Sequence, residues 1–137
     1  MNMTLYFCLD DRKGMLFNHR RQSRDRAVME DIRSGLEGEL LIDPISRKIV
    51  ETAQIPYSYA PSEITEQMQG CHFFVEERLP CDWVSLASTV VCYRWNRRYP
   101  ADLYFDIDLS AMGFVLSETV DFPGKSHETI TREVYVK

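Results

Sequence analysis

Six basic residues and a single acid occupy positions 12 to 26, and their side chains are suited to bind a negatively charged group. The planar guanidinium group of arginine donates paired hydrogen bonds to the oxygens of a phosphate or a carboxylate. A helix is predicted to begin near Ser23, and its N-terminal amides would add positive potential at the same place. We therefore expect an anionic small molecule or nucleotide to bind through Arg20, Arg21 and Arg24. Three further residues would order the loop: Asp10, Asp11 and Asn18.

A second basic window lies between positions 93 and 99, where aromatic residues alternate with arginines. Aromatic rings can stack on bases while arginines neutralise phosphates, so this stretch is typical of an RNA-binding or protein-interaction module. Arg97 and Arg98 would then join the ligand contacts. The alternative is an edge strand that ends in a turn, with Trp95 in the core. The first segment has a similar alternative, in which it is a solvated loop whose arginines pair with nearby acids.

The distribution of charge favours a local anion site over a general nucleic-acid surface. The formal net charge is −5, and the two basic windows hold 9 of the 16 Lys and Arg residues but only one acid. The rest of the chain therefore carries 7 bases against 20 acids. A nucleic-acid-binding protein usually has a basic face overall. Nucleic acid is therefore a possible partner that the sequence does not favour.

Two other groups of residues have the types that catalysis or metal binding requires. Asp106 and Asp108 would face the same side of a strand, where they could hold Mg²⁺ or share a proton, unless they are simply exposed acids. Ser126, His127 and Glu128 offer a hydroxyl, an imidazole and a carboxylate, but neighbours in a strand point to opposite faces and cannot form a triad. His127 would act in acid–base chemistry with Asp10 or Asp11 only if the fold brought them together.

The histidines and cysteines are not spaced as zinc ligands, so no structural metal site is predicted. The four cysteines are expected to be buried, reduced thiols: Cys8, Cys71, Cys81 and Cys92.

Length and composition predict a single α/β domain over residues 1–137. No apolar run approaches the roughly 20 residues of a membrane helix, so no membrane partner is expected. The N-terminus lacks the pattern of a signal peptide, which favours a cytoplasmic location. Edge strands near the C-terminal hairpin leave a homo-oligomer possible.

Hydrophobic periodicity predicts alternating strands and helices followed by a β-rich end. Strands are expected at 4–9, 40–42, 55–59, 71–75, 89–95, 103–107, 114–122 and 129–136. Helices are expected at 25–34, 44–53 and 63–69, with one helical turn at 83–87. Such alternation implies a mostly parallel central sheet flanked by helices, with a C-terminal antiparallel hairpin.

This layout resembles the dihydrofolate reductase fold. The first strand, the glycine-containing loop at Gly14-Met15 and the Asp25–Ser34 helix follow that family's order, as does the strand–helix unit from Leu40 to Ala53. The hairpin from Phe114 to Val136 resembles its ending. The resemblance implies an alternative function, an NADPH-dependent reductase, with Asp25 or Asp31 in the place of the family's substrate-binding acid.

Several positions depart from that family's motifs. Asn18-His19-Arg20-Arg21 replaces its Leu-Pro-Trp, and Asp43-Pro44 replaces its cofactor-contacting Gly-Arg. Its paired glycines before a helix are unmatched, since Gly70 is followed by Cys71. Without glycines the backbone cannot approach a pyrophosphate closely, so the cofactor stays unknown and NADPH is not favoured.

The chain is also similar to small bacterial proteins of uncharacterised function that share the segments at 10–25 and 93–102. The label ribonuclease Z is sometimes attached to them. That enzyme requires an H-x-H-x-D-H zinc motif, and this chain has only three scattered histidines. The sequence therefore does not support that activity.

Overall fold

The computed structural model describes residues 2–63, 65 and 68–137, and within them the chain forms ten β-strands and three α-helices. The strands are β1 (Thr4–Leu9), β2 (Gly14–Phe17), β3 (Arg20–Arg21), β4 (Leu40–Ile42), β5 (Tyr57–Tyr59), β6 (His72–Phe74), β7 (Thr89–Arg94), β8 (Leu103–Tyr104), β9 (Val115–Pro123) and β10 (Thr129–Val136). The helices are α1 (Arg26–Gly35), α2 (Arg47–Thr52) and α3 (Pro80–Val84), and a 3₁₀ turn at Pro44–Ser46 leads into α2.

Seven strands form the central sheet, in the order β5-β4-β6-β1-β7-β10-β9. The first five strands in this order run parallel, and β10 and β9 are antiparallel additions at one edge. This arrangement confirms the predicted mixed α/β fold with a mostly parallel sheet and a C-terminal hairpin. Pro56 immediately precedes β5, which lies at the opposite edge, where a missing backbone donor is tolerated.

The inner strands of the parallel sheet are mostly buried, with apolar side chains on both faces. In β1, Leu5, Phe7 and Leu9 pack into one apolar cluster, while Tyr6 belongs to a second cluster on the other face. The second cluster receives Val28 and Ile32 from α1. The sheet therefore separates two cores, and α1 and α2 cover the face that carries Tyr6.

Helix α1 begins where its sequence predicts. The Asp25 side chain accepts a hydrogen bond from the Ala27 backbone N–H at 2.9 Å, so Asp25 rather than Ser23 is the N-cap. Val28, Met29 and Ile32 are buried and form its inward face.

Two other segments differ from the sequence expectation, and a third falls partly outside the described residues. Residues 14–21 and 103–104 form a small sheet, β3-β2-β8, whose strand β8 ends before Asp106 and Asp108. Ser126, His127 and Glu128 lie in the turn between β9 and β10, not in a strand. The helix predicted at 63–69 includes positions 64, 66 and 67, which lie outside the described residues.

The cysteines only partly follow the prediction of buried thiols. Cys92 is buried and Cys8 is half-buried, whereas Cys81 is exposed on α3. No helix among the described residues combines the length and apolar character needed to cross a lipid bilayer.

An ion pair joins the carboxyl end of β4 to the segment between β6 and α3. The guanidinium of Arg78 donates to both carboxylate oxygens of Asp43, with its Nη2 at 2.7 Å from Oδ1 and its Nε at 3.0 Å from Oδ2. The same group lies 4.8 Å from the ring centre of Trp83 and donates to the Pro61 carbonyl. Asp43 is buried, so hydrogen bonds from this guanidinium replace most of those that its carboxylate would otherwise make to water.

We expect Arg78→Ala to lower the free energy of unfolding by about 3 kcal/mol, because it leaves a buried carboxylate without its partner. Urea titration measures this change. The matched control is Arg47→Ala, whose exposed pair with Glu51 spans 3.9 Å and should contribute less than about 0.5 kcal/mol. Equal effects of the two substitutions would contradict the structural role of the Arg78–Asp43 pair.

Candidate functional site

A cavity of about 440 Å³ lies between α1 and α2, above the sheet. Its lining includes Cys8 near the end of β1, Phe74 at the end of β6 and Trp95 just after β7. These are the carboxyl ends of parallel strands, where open α/β sheets bind their ligands. The cavity is therefore the candidate site that the topology itself creates.

The cavity combines an apolar floor with a basic rim. Five apolar side chains contribute to the floor: Val28, Met29, Ile49, Phe74 and Trp95. Three basic residues also line the cavity: Arg24, Arg26 and Lys48. Within the part of the chain that the structure describes, the side chains of these three make no ion pair or hydrogen bond. Their charges are therefore available to a ligand.

Arg21, a fourth basic residue of the lining, is already engaged. Its Nε and Nη2 donate to the two carboxylate oxygens of Glu76, each at 2.6 Å. Its Nη2 also donates to the Ile45 carbonyl, and the Ser46 hydroxyl donates to the same carboxylate. Glu76 is buried, so Arg21 serves to neutralise it and ties β3 to β6 and the turn before α2.

The wall of the cavity near the N-terminus of α1 contains a buried cluster around His127. The His127 Nδ1 lies 3.0 Å from the Asp25 Oδ2, and its Nε2 lies 2.8 Å from the Tyr99 hydroxyl and 3.2 Å from the Ser23 Oγ. The side chains of His127 and Asp25 are 2% and 0% exposed. The His127 ring stacks on Trp95 at 4.6 Å between centres, which fixes its plane.

Asp25 is held by many donors besides the imidazole. The backbone N–H groups of Lys125, Ser126 and His127 all donate to its carboxylate, as does that of Ala27. Burial alone would raise the pKa of Asp25, but these hydrogen bonds outweigh it and hold the pKa well below its ordinary value. The carboxylate is therefore ionised, and it connects α1 to the β9–β10 turn.

The predicted site residues fall into two groups. Arg21 and Arg24 line the cavity, whereas Arg20, Arg97 and Arg98 are exposed and lie outside its lining. Arg94 of the second window pairs with Glu133 at 2.7 Å. Tyr93 and Trp95 are buried, and Trp95 borders the cavity, so neither offers a face on the outer surface on which an RNA base could stack.

Of the three residues expected to order the loop, Asp10 binds through its side chain, whereas Asp11 and Asn18 bind through their backbone N–H groups. Asp10 is buried and accepts the backbone N–H groups of Arg12, Gly14 and Tyr99. Burial alone would raise its pKa, but these bonds lower the pKa of Asp10 below its ordinary value. The Asp11 backbone N–H donates to the Arg97 carbonyl, and the Asn18 N–H donates to Asp102.

Neither acid proposed as the substrate-binding carboxylate is available in the cavity. Asp25 is committed to the donors described above. Asp31 accepts the Tyr93 hydroxyl at 2.7 Å and pairs with Arg132, outside the cavity lining. The acid–base partner of His127 is likewise Asp25, not Asp10 or Asp11, because the β9–β10 turn packs on the start of α1.

Asp106 and Asp108 line a second cavity, of about 480 Å³, on the other face of the sheet, together with Lys13 and Ser110. Among the described residues, no group of three His, Cys, Asp or Glu side chains is arranged to hold a metal ion.

The junction that precedes α3 contains no glycine. The paired glycines of the reductase family precede a helix, whereas Gly70-Cys71 precedes a strand, β6. The position that corresponds to those glycines is therefore the junction between β6 and α3, at residues 75–79, where Glu76 and Glu77 lie. The pKa of Glu77 is raised by burial and by the nearby carboxylates of Asp43 and Glu76. Glu76 is paired with Arg21, so Glu77 is the acid at this junction that opposes the approach of a pyrophosphate.

Sequence reasoning missed Arg26, Lys48 and the role of Ser23 and Trp95. The helical period places Arg26 and Lys48 on their helices, but only the packing of α1 beside α2 brings them to one cavity. The Asp25–His127 pair joins positions 102 apart, so no local spacing could have signalled it.

The comparisons with known proteins bear on the fold. No protein-family model and no curated protein sequence matches the chain. Among solved structures, the chain is similar to dihydrofolate reductase from Enterococcus faecalis in complex with NADP(H) and RAB-propyl. The TM-score is 0.70 over 98% of this chain and 95% of that chain, at 8% sequence identity. The chain therefore has a dihydrofolate-reductase-like fold, which confirms the resemblance, and at this identity the likeness extends to the fold alone.

The close approach of the β9–β10 turn to Asp25 depends on Gly124. A Cβ at this position would lie 2.5 Å from the His127 carbonyl oxygen and 2.6 Å from the Asp25 Oδ2. We expect Gly124→Ala to lower the free energy of unfolding by about 2 kcal/mol, since backbone must move to admit the methyl group. The control is Gly35→Ala, where a Cβ meets nothing within 4 Å and stability should stay the same or rise by up to about 1 kcal/mol. Thermal and urea unfolding of both variants test this, and an unaffected Gly124→Ala would contradict the tight packing.

The depressed pKa of Asp25 predicts how stability depends on pH. A carboxylate whose pKa is lower in the folded state contributes stability above its unfolded pKa of about 3.9, and that contribution is lost as the pH falls through the folded pKa. We expect Asp25→Asn to be less stable than the wild type at pH 7, with the difference narrowing below about pH 4. Melting temperatures between pH 7 and pH 2.5 measure it. Asp11→Asn, at an exposed carboxylate, should follow the wild-type curve, and a constant gap for Asp25→Asn would refute the linkage.

Proposed function

We propose that the protein binds a small molecule with an apolar body and a phosphate or carboxylate group in the cavity between α1 and α2. The observation that carries this proposal is the set of three cations, Arg24, Arg26 and Lys48, which have no side-chain partner among the described residues and surround an apolar floor. A nucleotide is one molecule of this class. We further propose that the protein acts in the cytoplasm.

The size and lining of the cavity suit a ligand of this class. Ligand sites commonly enclose 300–1,000 Å³ and are mostly apolar with a few convergent polar groups. At about 440 Å³ the cavity admits one or two fused rings with a substituent. The indole of Trp95 and the ring of Phe74 offer apolar surface for such a body.

The balance of charge in the cavity favours an anion. Arg21 neutralises Glu76, and the Asp25 carboxylate is bound by backbone donors and His127, so no acid of the described lining pairs with the three remaining cations and the lining is positive overall. Positive charge concentrated in a cleft with apolar walls attracts anions more strongly than the same charge on an open surface. Of the arginines predicted from the sequence, Arg24 is therefore the strongest candidate contact.

The two other functions that the sequence suggested have less support. An NADPH-dependent reductase would need close backbone approach to a pyrophosphate, but Glu76 and Glu77 occupy the junction before α3, and Arg78 already engages Asp43. An RNA-binding surface at positions 93–99 would need exposed aromatic faces, and Tyr93 and Trp95 are buried. The fold alone favours neither.

The binding proposal is tested with 1-naphthyl phosphate, which pairs an apolar bicycle with a dianion. We expect it to bind the wild type, and Arg24→Ala/Arg26→Ala to weaken the affinity at least about tenfold, since a charge-assisted hydrogen bond contributes roughly 1.5–3 kcal/mol. Isothermal titration calorimetry measures the affinity. Inorganic phosphate and 1-naphthol serve as probes of the two halves, and each alone should bind more weakly.

The matched control is Arg20→Ala, which removes the same charge from an exposed position outside the cavity lining. It should leave the affinity for 1-naphthyl phosphate unchanged. If no member of a panel of aryl phosphates, aryl carboxylates and nucleotides binds, or if Arg20→Ala weakens binding as much as the double variant, the proposal is wrong.

A further inference from the structure

Three side chains at the cavity wall have the connectivity of a nucleophile, a base and an orienting acid. Ser23 lines the cavity, and its Oγ lies 3.2 Å from the His127 Nε2. The opposite ring nitrogen, Nδ1, lies 3.0 Å from the carboxylate of Asp25. Hydroxyl–imidazole–carboxylate chains of this kind activate serine on several unrelated folds, in which they are recognised by geometry and not by order along the chain.

We propose that the protein is a serine hydrolase that cleaves carboxylic esters bound in this cavity, with Ser23 as nucleophile, His127 as general base and Asp25 as the group that orients the imidazole. The inference rests on the proposed function only for the anionic character of the substrate. The site differs from the reductase chemistry of the fold's best-known members, and its three side chains come from the β3–α1 segment and the β9–β10 turn.

The hydrogen bonds around His127 determine which nitrogen carries the proton. Asp25 is an ionised carboxylate, which only accepts hydrogen bonds, so it selects the imidazole tautomer that carries its hydrogen on Nδ1. Nε2 then presents its lone pair to the Ser23 hydroxyl. This is the tautomer that a general base requires, and the stacked indole of Trp95 keeps the ring in place.

Two hydroxyl groups compete for that lone pair, but only one of them reaches the cavity. The Tyr99 hydroxyl is 2.8 Å from Nε2, yet Tyr99 is not among the residues that line the cavity. Ser23 is half-buried and lines both the main cavity and a small adjoining one. A ligand carbonyl in the cavity therefore meets the Ser23 Oγ, while the Tyr99 hydroxyl contacts the same Nε2 from outside the cavity lining.

The reaction balances without any further cofactor. The Ser23 Oγ forms a bond to the acyl carbon as its proton passes to the His127 Nε2, and the C–O bond to the leaving alcohol breaks as the alcohol takes that proton. Water then attacks the acyl group, its proton passes through Nε2 to Ser23, and the carboxylic acid is released. Arg24 and Arg26, which line the same cavity as Ser23, supply positive charge for the oxyanion that forms in each step.

A fluorophosphonate probe tests the nucleophile directly, because it forms a stable Ser–phosphorus bond with loss of fluoride only where a serine is activated. We expect the intact protein to gain one adduct, which peptide mass spectrometry assigns to Ser23. Ser23→Ala should gain none, and His127→Gln should react at least about 100-fold more slowly. Ser34→Ala, at an exposed serine at the far end of α1, should react as the wild type does.

Ester turnover is then measured with 4-nitrophenyl hydrogen succinate, whose free carboxylate matches the basic rim. Release of 4-nitrophenolate above the buffer rate should disappear in Ser23→Ala and persist in Ser34→Ala. Melting temperatures of all variants establish that they fold. Because Ser23→Ala removes only a half-buried hydroxyl, its result stands even if His127→Gln is unfolded.

The outcomes separate this inference from the binding function. If 1-naphthyl phosphate binds but the wild type is neither labelled nor active, the hydrolase proposal is wrong and the binding proposal stands. If Ser23 is labelled but no anion binds, the reverse holds. Labelling or turnover that persists in Ser23→Ala would assign the chemistry to another residue and overturn the role of Ser23.

Discussion

The carboxylate of Asp25 is the point on which this site depends. It caps α1, accepts the backbone N–H groups of the β9–β10 turn and fixes the imidazole of His127, three tasks performed by two buried oxygens. Each donor belongs to a segment of the chain that this hydrogen bond holds in place. Without this carboxylate the backbone N–H groups of the turn would lose their acceptor, and the turn would no longer be held against the helix to form the wall of the cavity. Gly124 permits the contact because any larger residue would fill the space that the carboxylate occupies.

Two further ion pairs decide the charge that the carboxyl ends of the strands present. Arg21 neutralises Glu76 and Arg78 neutralises Asp43, so acids that would repel an anion are already paired. The cations left over lie on α1 and α2 and the segment before α1. An acidic protein of net charge −5 thereby keeps one positive cleft. The fold is shared with a reductase, but the charges at its ligand-binding edge belong to this chain.

Much of the fold could be predicted from the sequence because its signals are local. The apolar run at 4–9, the cap at Asp25 and the Asp43-Pro44 helix start each lie within a few residues of the structure they specify. The candidate site was harder to predict from the sequence. Arg24 could be predicted from the charge run, but Lys48 joins it only through packing of two helices. The Asp25–His127 bond crosses nearly the whole chain, and the expectation that His127 lay in a strand hid it.

The positions of the two tryptophans allow occupancy of the cavity to be followed by intrinsic fluorescence. Trp83 lies in the apolar cluster on the side of the sheet that α3 covers, and Trp95 forms part of the cavity floor on the other side. An occupant of the cavity changes the surroundings of one indole and leaves the other as an internal reference. The ultraviolet emission of the unlabelled protein therefore contains both a signal for occupancy and its own baseline, and Trp83→Phe would isolate the first from the second.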